Sequence, residues 1–207
     1  LSPWLFAIYV ADLPKPPPNV RLVVYADDCT VYSTDPSIPS ASAAVNNYLK
    51  DVAAYFKQNH LLLSAHKSAS AVFTPANKEA NVAPGLSIDN VDIPNCRQIR
   101  LLGVEFDNLL SMRLHVDYLC KRADRTLNAI RSLTGPKWGL KRRDLVILYK
   151  ATVRSTFDYA CPAWAPFVSD TNWRRLQTKQ NTGLRIATGC IRSTPIAHLH
   201  NECAILN

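Results

Sequence analysis

No two of the six cysteines form a Cys-x-x-Cys pair. Only Cys203 lies near histidines, His198 and His200, and no cysteine pair completes a finger pattern with them. That spacing argues against a structural zinc site and for free thiols in a reducing compartment. No apolar run approaches the roughly 20 residues a membrane helix needs. No basic-then-apolar leader is visible. The expectation is an intracellular protein, nuclear or cytoplasmic, with no membrane partner. Internal repeats are absent too, and the chain opens at Leu1 in mid-pattern, which reads as a fragment.

Acidic residues are fewer than basic ones, 16 against 24, in a chain of 207 residues that is 47% hydrophobic. That length and composition allow a real core in one or two domains. Residues 1–107 hold eight Lys/Arg against ten Asp/Glu, whereas residues 108–207 hold sixteen against six, an excess of +10. Such asymmetry points to a polyanion partner for the second half or to a merely solvated basic surface.

Apolar Leu5, Phe6, Tyr9 and Leu13 recur at helical spacing and run into Pro14, Pro16, Pro17 and Pro18, which no helix survives. Residues 21–25 and 29–32 read as two strands around Ala26-Asp27-Asp28. Residues 41–59 form an amphipathic helix through Ala44, Val45, Tyr48, Leu49, Val52, Ala53 and Phe56. Residues 61–63 and 71–73 suggest one or two further strands, residues 75–95 loops with a possible small hairpin, and residues 101–106 a strand in which Gly103 marks a bulge or a close backbone approach. Beyond Asp107 three helices are expected. One runs through Val116, Cys120, Ala123, Leu127 and Ile130 and stops at Gly135-Pro136; one holds Leu145, Leu148, Tyr149 and Thr152. The third holds Trp173, Leu176, Gln180, Leu184 and Ala187, capped by Asp170 and ended by Gly189. The fold class is therefore α+β, with an antiparallel sheet and packed helices in residues 1–107 and an all-helical region in residues 108–207.

Tyr25-Ala26-Asp27-Asp28 is the most informative tetrad. Adjacent carboxylates on a regular strand face opposite ways, but a tight turn lets them converge. Two acids so held repel, and a divalent cation relieves them. Magnesium suits hard oxygen ligands shared with phosphates. An ordinary acidic surface turn is the other reading; the apolar strands on either side favour a rigid, functional base.

Val23-Val24-Tyr25-Ala26-Asp27-Asp28-Cys29-Thr30-Val31-Tyr32 resembles the metal-binding hairpin of reverse transcriptases. Further likenesses follow in order. Leu1-Ser2-Pro3-Trp4-Leu5-Phe6 is similar to the stretch after the family's Pro-Gln-Gly turn. Leu63-Ser64-Ala65-His66-Lys67-Ser68 resembles its Leu-Asn-x-x-Lys-Thr stretch, with Ser64 and Ser68 in place of asparagine and threonine. Leu101-Leu102-Gly103-Val104 with Phe106-Asp107 resembles the Leu-Gly-Val hairpin at the primer end. Residues 176–189, with Gln180, Leu184-Arg185-Ile186 and Thr188-Gly189, resemble a helix downstream of jockey-like, non-LTR (LINE-type) retrotransposon polymerases.

The resemblance implies a partial polymerase palm over residues 1–107 and a helical thumb and connection over residues 108–207. It implies two-metal magnesium chemistry with RNA template, DNA primer and deoxynucleoside triphosphates. Asp27 is the leading metal ligand and Asp28 the weaker one. Lys67 is a candidate to neutralise or protonate the leaving pyrophosphate, or else an ordinary solvated lysine. Tyr25, Leu102 and Gly103 are candidates for the primer end. Lys121, Arg122, Arg125, Lys141, Arg142, Arg143, Arg174, Arg175 and Lys179 supply cations for a phosphate backbone. Trp138, Trp164 and Trp173 either stack on bases or fill the core, and for Trp173 core is the expectation. The family's upstream aspartate is missing, and Asp12 sits at its Asn-Asp-Leu-Pro stretch and cannot replace it. This stretch alone is therefore expected to be inactive; the alternatives are a non-catalytic nucleic-acid-binding remnant and a plain interaction domain.

Overall fold

The computed structural model describes residues 2–135 and 138–205. The chain divides into two compact units, Leu1–Ile99 and Arg100–Asn207. The first mixes small sheets with helices; the second is almost wholly helical.

The first unit begins with helix α1 (Ser2–Tyr9), which leaves Trp4, Leu5 and Ile8 exposed. An extended proline-rich segment leads to β1 (Val20–Tyr25), which pairs antiparallel with β2 (Asp28–Ser33). The register sets Tyr25 opposite Asp28 and Val20 opposite Ser33. Alternation therefore puts Val20, Leu22 and Val31 on one face, and Arg21, Val23, Tyr25 and Tyr32 on the other. The first face packs on α2 (Ile38–Gln58), where Val20 joins Tyr48, Val52 and Phe56 in a buried cluster with Leu22 and Val31 against it. The opposite face is open: Val23, Tyr25 and Tyr32 are all exposed.

The strands expected at residues 61–63 and 71–73 do not form. Leu62 is exposed, Ala65–Lys67 makes one 3-10 turn, and Ser70 forms a single isolated bridge to Asn95. Alternation without a partner strand is not a strand. The small hairpin expected in residues 75–95 is present as β3 (Ser87–Ile88) and β4 (Val91–Asp92). Asp89 and Asn90 both have positive φ at its turn, as a primed turn demands.

β5 (Gln98–Leu101) pairs with β6 (Val104–Asp107). Leu102 and Gly103 both take positive φ between them. Residues 101–106 are thus a hairpin around a two-residue primed turn, not one bulged strand. Helix α3 (Arg113–Ser132) follows, then α4 (Arg142–Tyr149), a π turn (Lys150–Arg154), α5 (Ser155–Asp158), α6 (Cys161–Trp164), α7 (Asp170–Thr188) and α8 (Ile196–Cys203). α3 stops at Leu133; the proline expected to end it, Pro136, lies outside the described residues. The cap of α7 is Ser169, whose hydroxyl accepts from the Asn172 N–H, rather than Asp170. Gly189 closes it in the left-handed region at φ 71°. One apolar core, including Val116, Leu127, Tyr149, Trp164, Leu184 and Leu199, holds these helices together. No described helix is long and apolar enough to cross a membrane.

Candidate functional site

The acidic pair sits at the tip of the β1–β2 hairpin. Ala26 and Asp27 form its turn and Asp28 opens β2. Ala26 holds φ at 52°, a conformation that alanine enters reluctantly and that lets so short a connection close. Both carboxylates are exposed, and neither joins an ion pair among the described residues. Their field is felt next door: desolvation raises the Cys29 thiol above its ordinary value, and Asp28 and Asp27 raise it further.

The donors are hard oxygens, which suits magnesium. Two carboxylates are nonetheless only part of a site, and among the described residues no group of three or more His, Cys, Asp or Glu is placed to hold a metal. The two carboxylates are the right donor type for magnesium but do not by themselves make up a coordination sphere. Lys67 ends the 3-10 turn, exposed, with no ion pair to either acid. Tyr25 is 64% exposed on the open face of the hairpin.

In the second unit, the Leu102–Gly103 turn is clamped by a residue that sequence reasoning missed. The Tyr159 hydroxyl donates to the Leu102 carbonyl at 2.8 Å. Its ring lies 3.3 Å from where a Cβ on Gly103 would sit, so the glycine is needed both for its φ of 87° and for this approach. Asp107 shapes the next turn, accepting the Ser111 N–H at 3.0 Å and the Ser111 hydroxyl at 3.1 Å.

The nine candidate cations divide. Arg175 pairs with Asp117 at 2.5 Å and Lys179 with Asp124 at 2.7 Å, both between α7 and α3. The Asp117 partner raises the Arg175 guanidinium further above its ordinary value. Arg142 pairs with Glu202. Lys121, Arg122, Arg125, Lys141, Arg143 and Arg174 are exposed and make no ion pair among the described residues. The tryptophans also sort differently from expectation. Trp164 is the buried one, its indole N–H donating to the Tyr159 carbonyl at 3.0 Å. Trp173 is 39% exposed and lies against Trp164, ring centres 5.8 Å apart, so it rims the core rather than filling it. Trp138 is 72% exposed.

The run from Gln180 to Gly189 is architectural. Gln180 accepts from Arg154, which also holds Asp158. Asn181 meets the buried His200 ring at 3.1 Å, and the other ring nitrogen faces the Ile205 carbonyl at 3.2 Å. Gly183 leaves room for the Tyr149 ring. Arg185 donates to the Thr194 carbonyl at 3.4 Å. Gln180, Asn181 and His200, buried and so partnered, fix one arrangement of α7, α8 and the π turn.

Residues 1–106 match the reverse transcriptase (RNA-dependent DNA polymerase) family, about half of the chain, and the chain belongs to that family. It is related to non-LTR, jockey-like retrotransposon enzymes. A probable RNA-directed DNA polymerase from transposon BS of Drosophila melanogaster is 25% identical over 197 residues, covering 92% of this chain and 22% of the relative. The corresponding protein of the X-element of the same fly is 23% identical over 203 residues, covering 95% and 22%. The RNA-directed DNA polymerase from mobile element jockey of Drosophila funebris is 24% identical over 196 residues, covering 91% and 21%. The chain thus spans about a fifth of the length of the relatives it matches. No solved structure matches it.

Proposed function

We propose that this chain carries the metal-binding hairpin, the primer-end turn and backbone-binding helices of an RNA-directed DNA polymerase. The observation that carries the reading is the Asp27-Asp28 pair, without an ion-pair partner among the described residues, at the tip of a hairpin whose inner face packs on α2. Asp27 and Asp28 would hold magnesium, with Asp27 the principal ligand; an ion held there would supply acidification of a primer 3′-hydroxyl and charge stabilisation of the transferring phosphoryl group. Lys67 meets the negative charge of the departing pyrophosphate. Tyr25 packs beside the primer terminus, and the Leu102–Gly103 turn supports the primer strand. Residues 1–107 act as a partial palm and residues 108–207 as a thumb and connection. The substrates are an RNA template, a DNA primer and deoxynucleoside triphosphates.

The unpaired cations Lys121, Arg122, Arg125, Lys141, Arg143 and Arg174 do most of the phosphate binding. Arg142, Arg175 and Lys179 contribute less, because a paired cation releases fewer counterions on meeting phosphate. Residues 1–207 by themselves do not incorporate nucleotides, since two carboxylates do not complete a two-metal site. In the longer parent reading frame, primed synthesis on an RNA template should appear, and Asp27→Asn should abolish it. Full activity in that variant would remove Asp27 from the metal site. A parent frame that binds primer–template but never extends it would instead favour the non-catalytic nucleic-acid-binding remnant.

A further inference from the structure

We infer that Arg100, Tyr118 and Arg122 form a preorganised phosphate-binding site for the sugar–phosphate backbone of nucleic acid. The Arg100 guanidinium lies over the Tyr118 ring, 5.3 Å from its centre, and donates to the phenol oxygen at 3.5 Å. Arg122, one helical turn beyond Tyr118 on α3, donates to the same oxygen at 3.2 Å. Two cations are thereby gathered on one phenol oxygen. That is the reverse of Arg175 and Lys179, each of which has a carboxylate to itself. The compensating acid is Glu105, 3.7 Å from the Arg100 Nε, and Arg122 has no acidic partner among the described residues.

A guanidinium carries five donors in a planar fork that matches phosphate, and the phenol engages only part of each fork. The rest face solvent: the Arg100 side chain is 56% exposed and Arg122 is exposed. Tyr118 fixes both rotamers before a ligand arrives, which lowers the ordering cost of binding. The phenol is itself held from below. His115 stacks on it with ring centres 6.2 Å apart and meets the buried Trp164 edge-on at 5.2 Å. Burial, and then the Arg100 charge, lowers the His115 pKa.

Lys121 and Arg125 continue the site along the helix. Positions 118, 121, 122 and 125 are spaced to share one face, so the cations form a stripe rather than a point. A stripe with an arginine pair at one end suits a chain of evenly spaced phosphates. That the ligand is nucleic acid rests on the function proposed above; that the site takes a phosphate rests on its geometry.

The test uses the whole chain and a fluorescent 15-nucleotide oligo(U), titrated from about 50 to 200 mM salt. Arg100→Gln with Arg122→Gln should flatten the slope of log affinity against log salt by about 0.7 to 1.4 units. Arg113→Gln with Arg131→Gln removes the same charge from another side of α3 and should change it less. Tyr118→Phe keeps both charges and should leave the slope intact while weakening binding about two- to tenfold. Equal slopes for the two double variants would overturn the site. Independently, inorganic phosphate at constant ionic strength should move the side-chain Nε signals of Arg100 and Arg122 in an ¹⁵N spectrum, and unmoved signals would overturn it too. Phosphate shifts without any oligo(U) binding would keep the anion site but sink its nucleic-acid ligand, and with it the functional reading of this half.

Discussion

The two units bury their apolar residues in different ways. In the second, α3, α4 and α7 close around one continuous core that includes Leu127, Tyr149, Trp164 and Leu184. In the first, α2 serves two small clusters, one against the β1–β2 hairpin and one against the β3 hairpin and the 3-10 turn. The helical unit is a packed body with a charged surface. The mixed unit is a set of hairpins laid on one helix, with open apolar faces at α1 and at Val23, Tyr25 and Tyr32. The contrast separates the charges: the two adjacent acids lie at a hairpin tip backed by one helix, and most of the basic residues lie on a packed helical body.

One substitution applied to both units tests this contrast most severely. Leu184 is fully buried on α7, and Leu49 is 9% exposed on α2. Leucine-to-alanine changes in cores cost about 2 to 5 kcal/mol, more where the surroundings cannot collapse. Leu184→Ala should fall near the top of that range and Leu49→Ala near the bottom, by urea unfolding followed through amides of each unit. Equal losses would mean that the two cores are comparably rigid.

A smaller effect is expected at Gly183, where an added methyl would run into the Tyr149 ring and the Leu127 side chain. Gly183→Ala should destabilise the helical unit by about 1 to 3 kcal/mol through overpacking. No equivalent exists at Gly85 of the first unit, where an added Cβ meets nothing within 4 Å. A neutral Gly183→Ala would show that α7 can move apart from α4 and α3.

Acid should act on the helical unit through His115. Its folded pKa is depressed, chiefly by burial and then by Arg100, while Tyr118 and Glu105 are its other polar neighbours. The unfolded chain protonates this histidine near pH 6.5, so below that pH the unfolded state binds more protons. The stability it contributes is complete above about pH 6.5 and is lost as pH falls through the folded value. Urea midpoints of the helical unit at pH 7.5 and 5.0 should differ less in His115→Gln than in the parent. An unchanged difference would assign the acid sensitivity to other groups.

Much of this was legible in the residues. Period-two alternation around Ala26-Asp27-Asp28 gave the hairpin, and the apolar stripe from Val45 to Phe56 gave the helix beneath it. The failures have physical causes. Leu102 is not a turn-forming residue, so its positive φ was invisible and Gly103 alone suggested a bulge. Ser169 and Asp170 are both good caps, and only geometry chooses between them. The partners of Arg175 and Lys179 lie 58 and 55 residues away, so nothing local showed that these cations were already engaged. Trp164 and Trp173 were separated by packing, since either could have filled the core.

The smallest effect compares one strained residue type in both units. Ala26 and Ala160 hold φ at 52° and 50°, a region that costs an alanine about 1 to 2 kcal/mol. Glycine removes that strain but orders at a greater entropy loss, so relief at an open site should net about 0.5 to 1 kcal/mol. Ala26 is exposed at the hairpin tip, and its methyl supports nothing in either cluster of the first unit. Ala26→Gly should therefore raise the hydrogen-exchange protection of the β1 and β2 amides. Ala160 packs against the large core of the second unit, where losing a methyl sacrifices contacts. Ala160→Gly should gain little or nothing, because the lost packing offsets the relieved strain. Equal gains at both positions would mean that Ala160 is no better supported than the hairpin tip, and the contrast between the two units would fail at that point.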